Sequence, residues 1–349
     1  GSYWKIGSIN DGIFPITAPD PKIEDLYRNS LDKGLLYATH DKEVFKYADY
    51  ILVDINFDVQ REINEHGLTQ NYDVDFTHLR DAVRDFATRC KPETLILMES
   101  TIPPGTTKEI VLPIIKECYS KRGISDEKIL LGHSYERVMP GKQYIDSIQN
   151  FYRVYSGINP ASEIEVETFL DQVINTNDFP LTRLKSTTAS EMSKVLENSY
   201  RAMNIAFIVE WSRFAEDAGV DLYEIVNAIR QRPTHSNIML PGIGVGGYCL
   251  TKDPLLASWS KQNIFNSRKL NFSESAISTN EDMPNMAAEI LSKNFNDNLN
   301  GISILLCGVA YTGNIGDTRY SPVETFYKRI LEYGASISLT DPYLAYGQN

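Results

Sequence analysis

At 349 residues the chain exceeds one ordinary domain, and its 42% apolar content suffices for the cores of two or three compact units. A formal charge of −12 opposes general affinity for nucleic acid or anionic lipid, since both need a basic face that releases counterions. No run approaches the roughly 18 uncharged apolar residues of a membrane span, and no basic segment with an apolar core opens the chain, so the cytoplasm is the expected compartment.

The first half alternates short apolar runs with helical stretches, the pattern of a parallel sheet covered by helices. Tyr50–Val53 is a predicted strand, Phe76–Ala87 an amphipathic helix, Thr94–Met98 a strand and Thr107–Cys118 a helix; Ile129–His133 and Phe151–Tyr155 continue the series as strands. Between strand and helix lies the run Glu99–Thr107, where hydroxyls and a helix start can receive an anion or a ribose. From Thr187 to Ala218 glycine and proline disappear and apolar residues recur at three and four, predicting one helix of about 30 residues and about 45 Å. Such a helix links two domains or packs across a dimer axis. Lys194 and Asn198, four apart, share one of its faces. Further on, a helical region around Met286–Asn294, a strand Ile302–Gly308, a helix Ser321–Tyr333 and a strand Ala335–Asp341 read as the start of a second α/β domain.

The chemistry concentrates in Gly246-Gly247-Tyr248-Cys249-Leu250-Thr251-Lys252-Asp253-Pro254. Glycines clear space beside a thiol, an ammonium nearby favours the thiolate, and a carboxylate handles a proton, so this run reads as a loop for covalent catalysis. Read alone, it is more often a loop cysteine beside a surface charge pair. Four cysteines, Cys90, Cys118, Cys249 and Cys307, include no C-x-x-C pair, and five scattered histidines offer no close ligand pair, which predicts free thiols and no metal. No G-x-S-x-G elbow marks a serine hydrolase. The run Gly242-x-Gly244-x-Gly246-Gly247 follows Pro241 rather than a β run and is followed by no cleanly opened helix, so it is not read as a dinucleotide fingerprint. Gly308–Gly313 follows a strand with the wrong spacing for one, though it can line a cleft. Glu136, just past a predicted strand end, is placed for a base or a water-holding group; singly, it is more often a surface ion-pair partner.

Four runs together resemble one family, the nucleotide-sugar 6-dehydrogenases related to UDP-glucose and GDP-mannose dehydrogenases. Glu99–Thr107 is similar to its S-T-x-P-x-G-T run, Glu191–Asn198 to its E-x-x-K-x-x-x-N helix, Gly246–Asp253 to its G-G-x-C-x-x-x-D loop and Gly316–Pro322 to its D-x-R-x-S-P turn, in order from about residue 20 onward. Glu136–Gly141 looks most like the branch acting on UDP-N-acetylhexosamines, with Pro140 where UDP-glucose enzymes typically have a second glutamate. The resemblance implies two Rossmann-like parallel-sheet domains joined by a long central helix. These are a partial NAD-binding domain over 1–185 that begins after its opening βαβ segment, a central helical dimerisation domain with the cysteine loop over 186–295, and the truncated start of a UDP-binding domain over 296–349.

The resemblance also implies an NAD-dependent, four-electron oxidation of the C6 alcohol of a UDP-N-acetylhexosamine, through a thiohemiacetal and a thioester, to a uronic acid for surface polysaccharide. Cys249 is then the nucleophile, Lys194 and Asn198 meet the oxyanion, Asp253 assists proton transfer with water, Thr101 positions water and touches NAD, and Glu136 handles substrate and protons. Arg137, Gly246, Arg232 and His235 fall to substrate binding, and Lys252 and Arg319, with Thr101, to NAD. A homodimer through the central helix is implied. Departures are equally plain: the family's opening strand and G-x-G-x-x-G turn do not appear ahead of Gly1-Ser2-Tyr3, Asp54–Asp58 replaces a V-P-T-P-like turn, Thr312 replaces a substrate lysine, and His235, near Arg232, replaces an arginine donated across the dimer. They keep open an alternative, a truncated, non-catalytic subunit that binds nucleotide sugar or forms oligomers.

Overall fold

A computed structural model describes residues 3–15, 20–139 and 141–344. In chain order the elements are α1 (Tyr3–Asn10), α2 (Pro21–Asp32), β1 (Tyr50–Val53), β2 (Val59–Ile63), β3 (Thr69–Val74), α3 (Thr77–Ala87), β4 (Leu95–Met98), α4 (Leu112–Lys121), β5 (Leu130–His133), α5 (Tyr144–Gln149), β6 (Val154–Gly157), α6 (Pro160–Val173), β7 (Thr182–Arg183), α7 (Thr187–Ala218), α8 (Leu222–Ile229), α9 (Tyr248–Asn263), α10 (Asn271–Lys293), β8 (Ser303–Cys307), α11 (Pro322–Glu332) and β9 (Ser336–Thr340). They divide into two compact units, one of residues 1–57 and 76–192, the other of residues 58–75 and 193–349.

The first unit is built on a five-stranded sheet in the order β1-β4-β5-β6-β7. β1, β4 and β5 are parallel, and β5 with β6 is antiparallel, which departs from an all-parallel expectation at one pairing only. All four residues of β4 are buried, as a central parallel strand requires, whereas β1 at the edge of the order buries only Ile51 and Val53. On one face Leu95, Leu97, Leu130 and Tyr155 pack against Val166 and Leu170 of α6. α3 buries Leu79, Val83, Phe86 and Ala87, a stripe at helical spacing. The helix predicted from Thr107 begins as a π-helical turn over Thr107–Val111, and the regular helix starts at Leu112, with Pro113 in its first turn where its missing N–H is harmless.

The second unit holds the hairpin β2–β3, whose residues interrupt those of the first unit, together with α8 to α11 and the parallel pair β8–β9. Its cores are Ile208, Ala215, Leu222 and Val226 around α8, and Ala288, Leu299, Phe326, Ile330 and Ala335 beneath β8–β9. The sequence reading missed the hairpin, α1, α2, α5, α6, β7, α8 and α9, and it assigned only the last third of α10, which runs unbroken through Pro284. The hairpin turn is set by Asn64, whose side-chain oxygen accepts the N–H groups of His66 and Leu68 at 3.0 and 2.9 Å, and by Gly67 at φ +79°. The Ser321-Pro322 pair of the D-x-R-x-S-P turn is a helix start: Ser321 caps α11, Pro322 is its first residue, and the Ser321 hydroxyl donates to the Val309 carbonyl at 2.7 Å.

Candidate active site

Cys249 is the second residue of α9, not a residue of an open loop; the run Tyr248–Pro254 opens a regular 16-residue helix. Gly247 precedes the helix in a left-handed conformation, φ +80°, that costs a glycine nothing. A β-carbon there would lie 2.7 and 2.9 Å from ring carbons of Tyr311, and one on Gly246 would lie 2.5 Å from the Tyr311 β-carbon and 2.7 Å from the Tyr320 carbonyl. The two glycines are thus required by the approach of the 311–320 segment. The Gly247 N–H donates to the Arg319 carbonyl at 3.0 Å, and the Thr251 hydroxyl donates back to the Gly247 carbonyl at 2.9 Å. The four thiols are free; Cys90 and Cys118 are buried, while Cys249 and Cys307 are exposed.

One turn along α9 from Cys249, on the same face, stands Asp253, fully buried. Each of its oxygens has a partner: Oδ2 accepts from the Asn198 side-chain amide at 2.6 Å and Oδ1 accepts from the Lys252 ammonium at 2.7 Å. Asn198 in turn sits one turn along α7 from the half-buried Lys194. The Asn198–Asp253 bond therefore joins two helices that each carry a second reactive group one turn away. Lys252 is buried rather than solvent-facing, its ammonium 4.8 Å from the centre of the Tyr248 ring. The Arg319 guanidinium lies over the same ring at 5.6 Å and pairs with Asp317 at 2.6 Å. Tyr311 is a neighbour that sequence reasoning did not single out. Burial chiefly, then the charge of Asp317, raises the affinity of its phenol for the proton, and Cys249 adds to the rise.

Other expected residues of this unit stand elsewhere along the chain. Arg232 is exposed on the turn after α8, and His235 ends a short 3₁₀ turn with its Nδ1 2.8 Å from the Thr234 hydroxyl. Thr312 is exposed. The backbone N–H groups of Val309 and Ala310, on the glycine turn after β8, are taken at 2.8 and 3.0 Å by Asp341, so that turn is occupied by the protein's own carboxylate. The glycine run 242–247 follows coil, which leaves it without the strand a dinucleotide fingerprint needs.

In the first unit the carboxyl ends of parallel strands β1, β4 and β5 lead into Asp54, the run Glu99–Thr107 and Tyr135–Arg137. This is the edge where open α/β sheets take their ligands. The Ser100 hydroxyl ties the two strand ends together, accepting from the Ile55 N–H at 2.7 Å and donating to the Val53 carbonyl at 3.2 Å. Thr101 follows, half-buried. Burial pushes the Glu99 carboxyl up; Arg153 opposes the shift, and the charges of Asp54 and Glu136 add to it. Glu136 accepts the Val138 N–H, and the Arg137 guanidinium is stacked 5.3 Å from the rings of both Tyr135 and Phe151. Pro140, singled out in the sequence, lies outside the described residues. The half-buried Thr101, the tight turn at Gly105 with φ +96° and nearby carboxylates lie along this edge. Among the described residues no group of three histidine, cysteine or acidic side chains could hold a metal, and no helix is long and apolar enough to cross a membrane.

Beneath this turn lies Glu191, buried, its Oε2 and Oε1 accepting the N–H groups of Gly105 and Thr107 at 2.5 and 2.8 Å. Burial raises its pKa to about 7 while the backbone donors pull it back. A carboxyl whose folded pKa lies above its unfolded value contributes stability that is present below the unfolded pKa and lost as pH rises through the folded one. Between pH 5 and pH 8 the protein is expected to lose about 3 kcal/mol through this group, and Glu191→Gln to flatten that slope, which urea unfolding at the two pH values measures.

As a class this is an α/β protein with Rossmann-type parallel-sheet architecture and a cysteine at a helix start. Sequence profiles of the UDP-glucose/GDP-mannose dehydrogenase family match it twice, the NAD binding domain over residues 2–174 and the central domain over residues 188–282. The chain belongs to that family. It is 32% identical over 269 residues to a UDP-N-acetyl-D-mannosamine dehydrogenase of Methanocaldococcus jannaschii, an alignment covering 77% of this chain and 58% of the relative. The solved UDP-D-ManNAc dehydrogenase of Pyrococcus horikoshii superimposes with a TM-score of 0.82 at 28% identity, over 98% of this chain and 76% of that one. A solved NDP-N-acetyl-D-galactosaminuronic acid dehydrogenase of Methanosarcina mazei Go1 gives 0.80 at 26%, over 99% and 73%. The chain spans about three fifths of the length of several curated archaeal relatives it matches, 58% in two cases and 60% in a third.

Proposed function

We propose that the protein is an NAD-dependent nucleotide-sugar 6-dehydrogenase that oxidises the primary alcohol of a UDP-N-acetylhexosamine to the carboxylate. The observation that carries this reading is the Asn198–Asp253 bond, which ties the face of α9 bearing Cys249 to the face of α7 bearing Lys194. NAD⁺ supplies the chemistry of hydride acceptance, twice per sugar. Thr101 and the strand-end turn would hold it. Deprotonation of the C6 hydroxyl accompanies loss of the first hydride and leaves an aldehyde, whose carbon the Cys249 sulfur attacks. Lys194 and Asn198 stabilise the oxyanion that forms, in a site where buried donors need no reorganisation. Loss of the second hydride gives a thioester on Cys249, and water guided by Asp253 displaces the thiol as the carboxylic acid forms. The sulfur stands in the first turn of a helix, where the helix dipole favours an anion. Glu136 and Arg137 attend the sugar and its protons; Arg319, on the Tyr248 ring, and Lys252 serve the cofactor side, and Gly246, Arg232 and His235 the substrate.

The exposed apolar side chains Leu196, Tyr200, Phe207, Trp211 and Phe214 follow one another at helical spacing along α7 and support a homodimer through that helix. The similarity of relatives named for N-acetylated sugars supports the substrate class, and the free thiols support work in the cytoplasm. Incubation of the intact protein with NAD⁺ and UDP-linked N-acetylmannosamine, N-acetylglucosamine, N-acetylgalactosamine or glucose tests the reading. Two NADH per sugar with one of the N-acetylated substrates is expected; no NADH with any of the four contradicts it and favours a binding subunit.

A further inference from the structure

The turn Ser100–Thr107 is held at both ends by side chains. Its start is fixed by the Ser100 hydroxyl, bonded across to the end of β1 at Val53 and Ile55. Its far end has no such strand neighbour. There Gly105 adopts φ +96°, the Thr106 hydroxyl closes back on the Pro103 carbonyl at 2.6 Å, and the chain passes into a π-helical turn rather than a regular helix. A π-turn is a rare conformation that persists where its surroundings over-determine it. The group that does so is Glu191. A single carboxylate takes two backbone donors two residues apart, one per oxygen, and both donors and acceptor are buried.

We propose that Glu191 is a positioning residue: its two carboxyl oxygens clamp the Gly105 and Thr107 amides and so fix the turn that presents Thr101 at the strand-end edge. The inference rests on the dehydrogenase reading above only for the consequence in turnover. Glutamine at 191 keeps the volume but opposes one backbone N–H with its own NH₂, so one of the two bonds becomes a donor–donor contact.

In the intact protein carrying Glu191→Gln, amide hydrogen exchange at Gly105 and Thr107 is expected to quicken about tenfold or more while amides of Leu95–Met98 and Leu130–His133 keep their protection. With NAD⁺ and the N-acetylated UDP-sugar, kcat is expected to fall about tenfold or more with KM for the sugar nearly unchanged, since the turn serves geometry rather than sugar affinity. Glu191→Asp, which keeps the charge but withdraws it by one methylene, is expected to give the same local signature. Unchanged exchange at 105 and 107 in both variants overturns the clamp, as does loss of protection spread evenly over the sheet. Faster exchange with unchanged kcat overturns the positioning role. A wild-type protein without turnover contradicts the dehydrogenase reading instead, and exchange then still decides the clamp.

Discussion

Replacement of Cys249 by serine is expected to lower uronate formation by at least about a thousandfold with no loss of folded structure. The sulfur is asked to do two things a hydroxyl does poorly at neutral pH: to attack as an anion, and to leave from an acyl carbon when water arrives. Its position separates these demands from packing, because the side chain is exposed in the first turn of α9 and the helix is seated by other residues, Leu255 and Leu256 among its buried ones. Cys307, the other exposed thiol, is the control. It lies on β8, whose buried-side residues Ile304 and Leu306 pack the C-terminal core, so Cys307→Ser is expected to leave turnover intact. NADH formation followed at steady state, with the circular dichroism of each variant, separates the two cysteines; equal turnover of wild type and Cys249→Ser would remove the nucleophile from the account.

The largest expected effect on stability lies at Lys252. Its ammonium and the Asp253 carboxylate are buried together at 2.7 Å, with side chains 2% and 0% exposed. Desolvating such a pair costs nearly what their attraction returns, so the intact pair is a modest stabiliser. Removing one member is different, because it strands the other charge. Lys252→Met leaves Asp253 with Asn198 as its remaining partner of the two and is expected to cost about 3–5 kcal/mol, read as a shift of the urea midpoint. The double variant Lys252→Met/Asp253→Leu is expected to be more stable than either single one. A single-variant loss below about 1 kcal/mol would mean that the pair is hydrated rather than buried.

Local patterns announced much of this molecule, and partners distant in sequence concealed the rest. β4 is an uninterrupted apolar run and α3 a clean amphipathic stripe, so burial and periodicity alone placed them. The pair Lys194/Asn198 was visible as an i, i+4 spacing on a predicted helix, and Cys249 with Asp253 as members of one motif-like run. The helical start at Tyr248 was not, because Gly247 and Pro254 are ordinary helix breakers; Gly247 in fact stands just ahead of the helix in a left-handed turn, and Pro254 lies in the helix interior. The hairpin β2–β3 hid for another reason. Its strand Val59-Gln60-Arg61-Glu62-Ile63 is too polar to read as buried, yet Arg61 is sequestered: it donates to Glu281 at 3.2 Å and to the Thr251 carbonyl at 2.9 Å, and its guanidinium lies 5.2 Å from the Tyr320 ring. Those partners come some 190 to 260 positions later in the chain. The same holds for Glu191, which motif spacing placed on the α7 helix but whose service to Gly105 and Thr107 only the folded backbone reveals.

The central claim is a covalent bond between the Cys249 sulfur and an oxidised sugar carbon. The intact protein, mixed with NAD⁺ and the UDP-N-acetylhexosamine it oxidises, is quenched in acid within the first turnover and its peptides weighed. An acyl adduct of the nucleotide sugar on the peptide bearing Cys249, longer-lived in an Asp253→Asn background because hydrolysis is slowed, is the expected result. Uronate accumulating with Cys249 unmodified in both backgrounds would contradict the account.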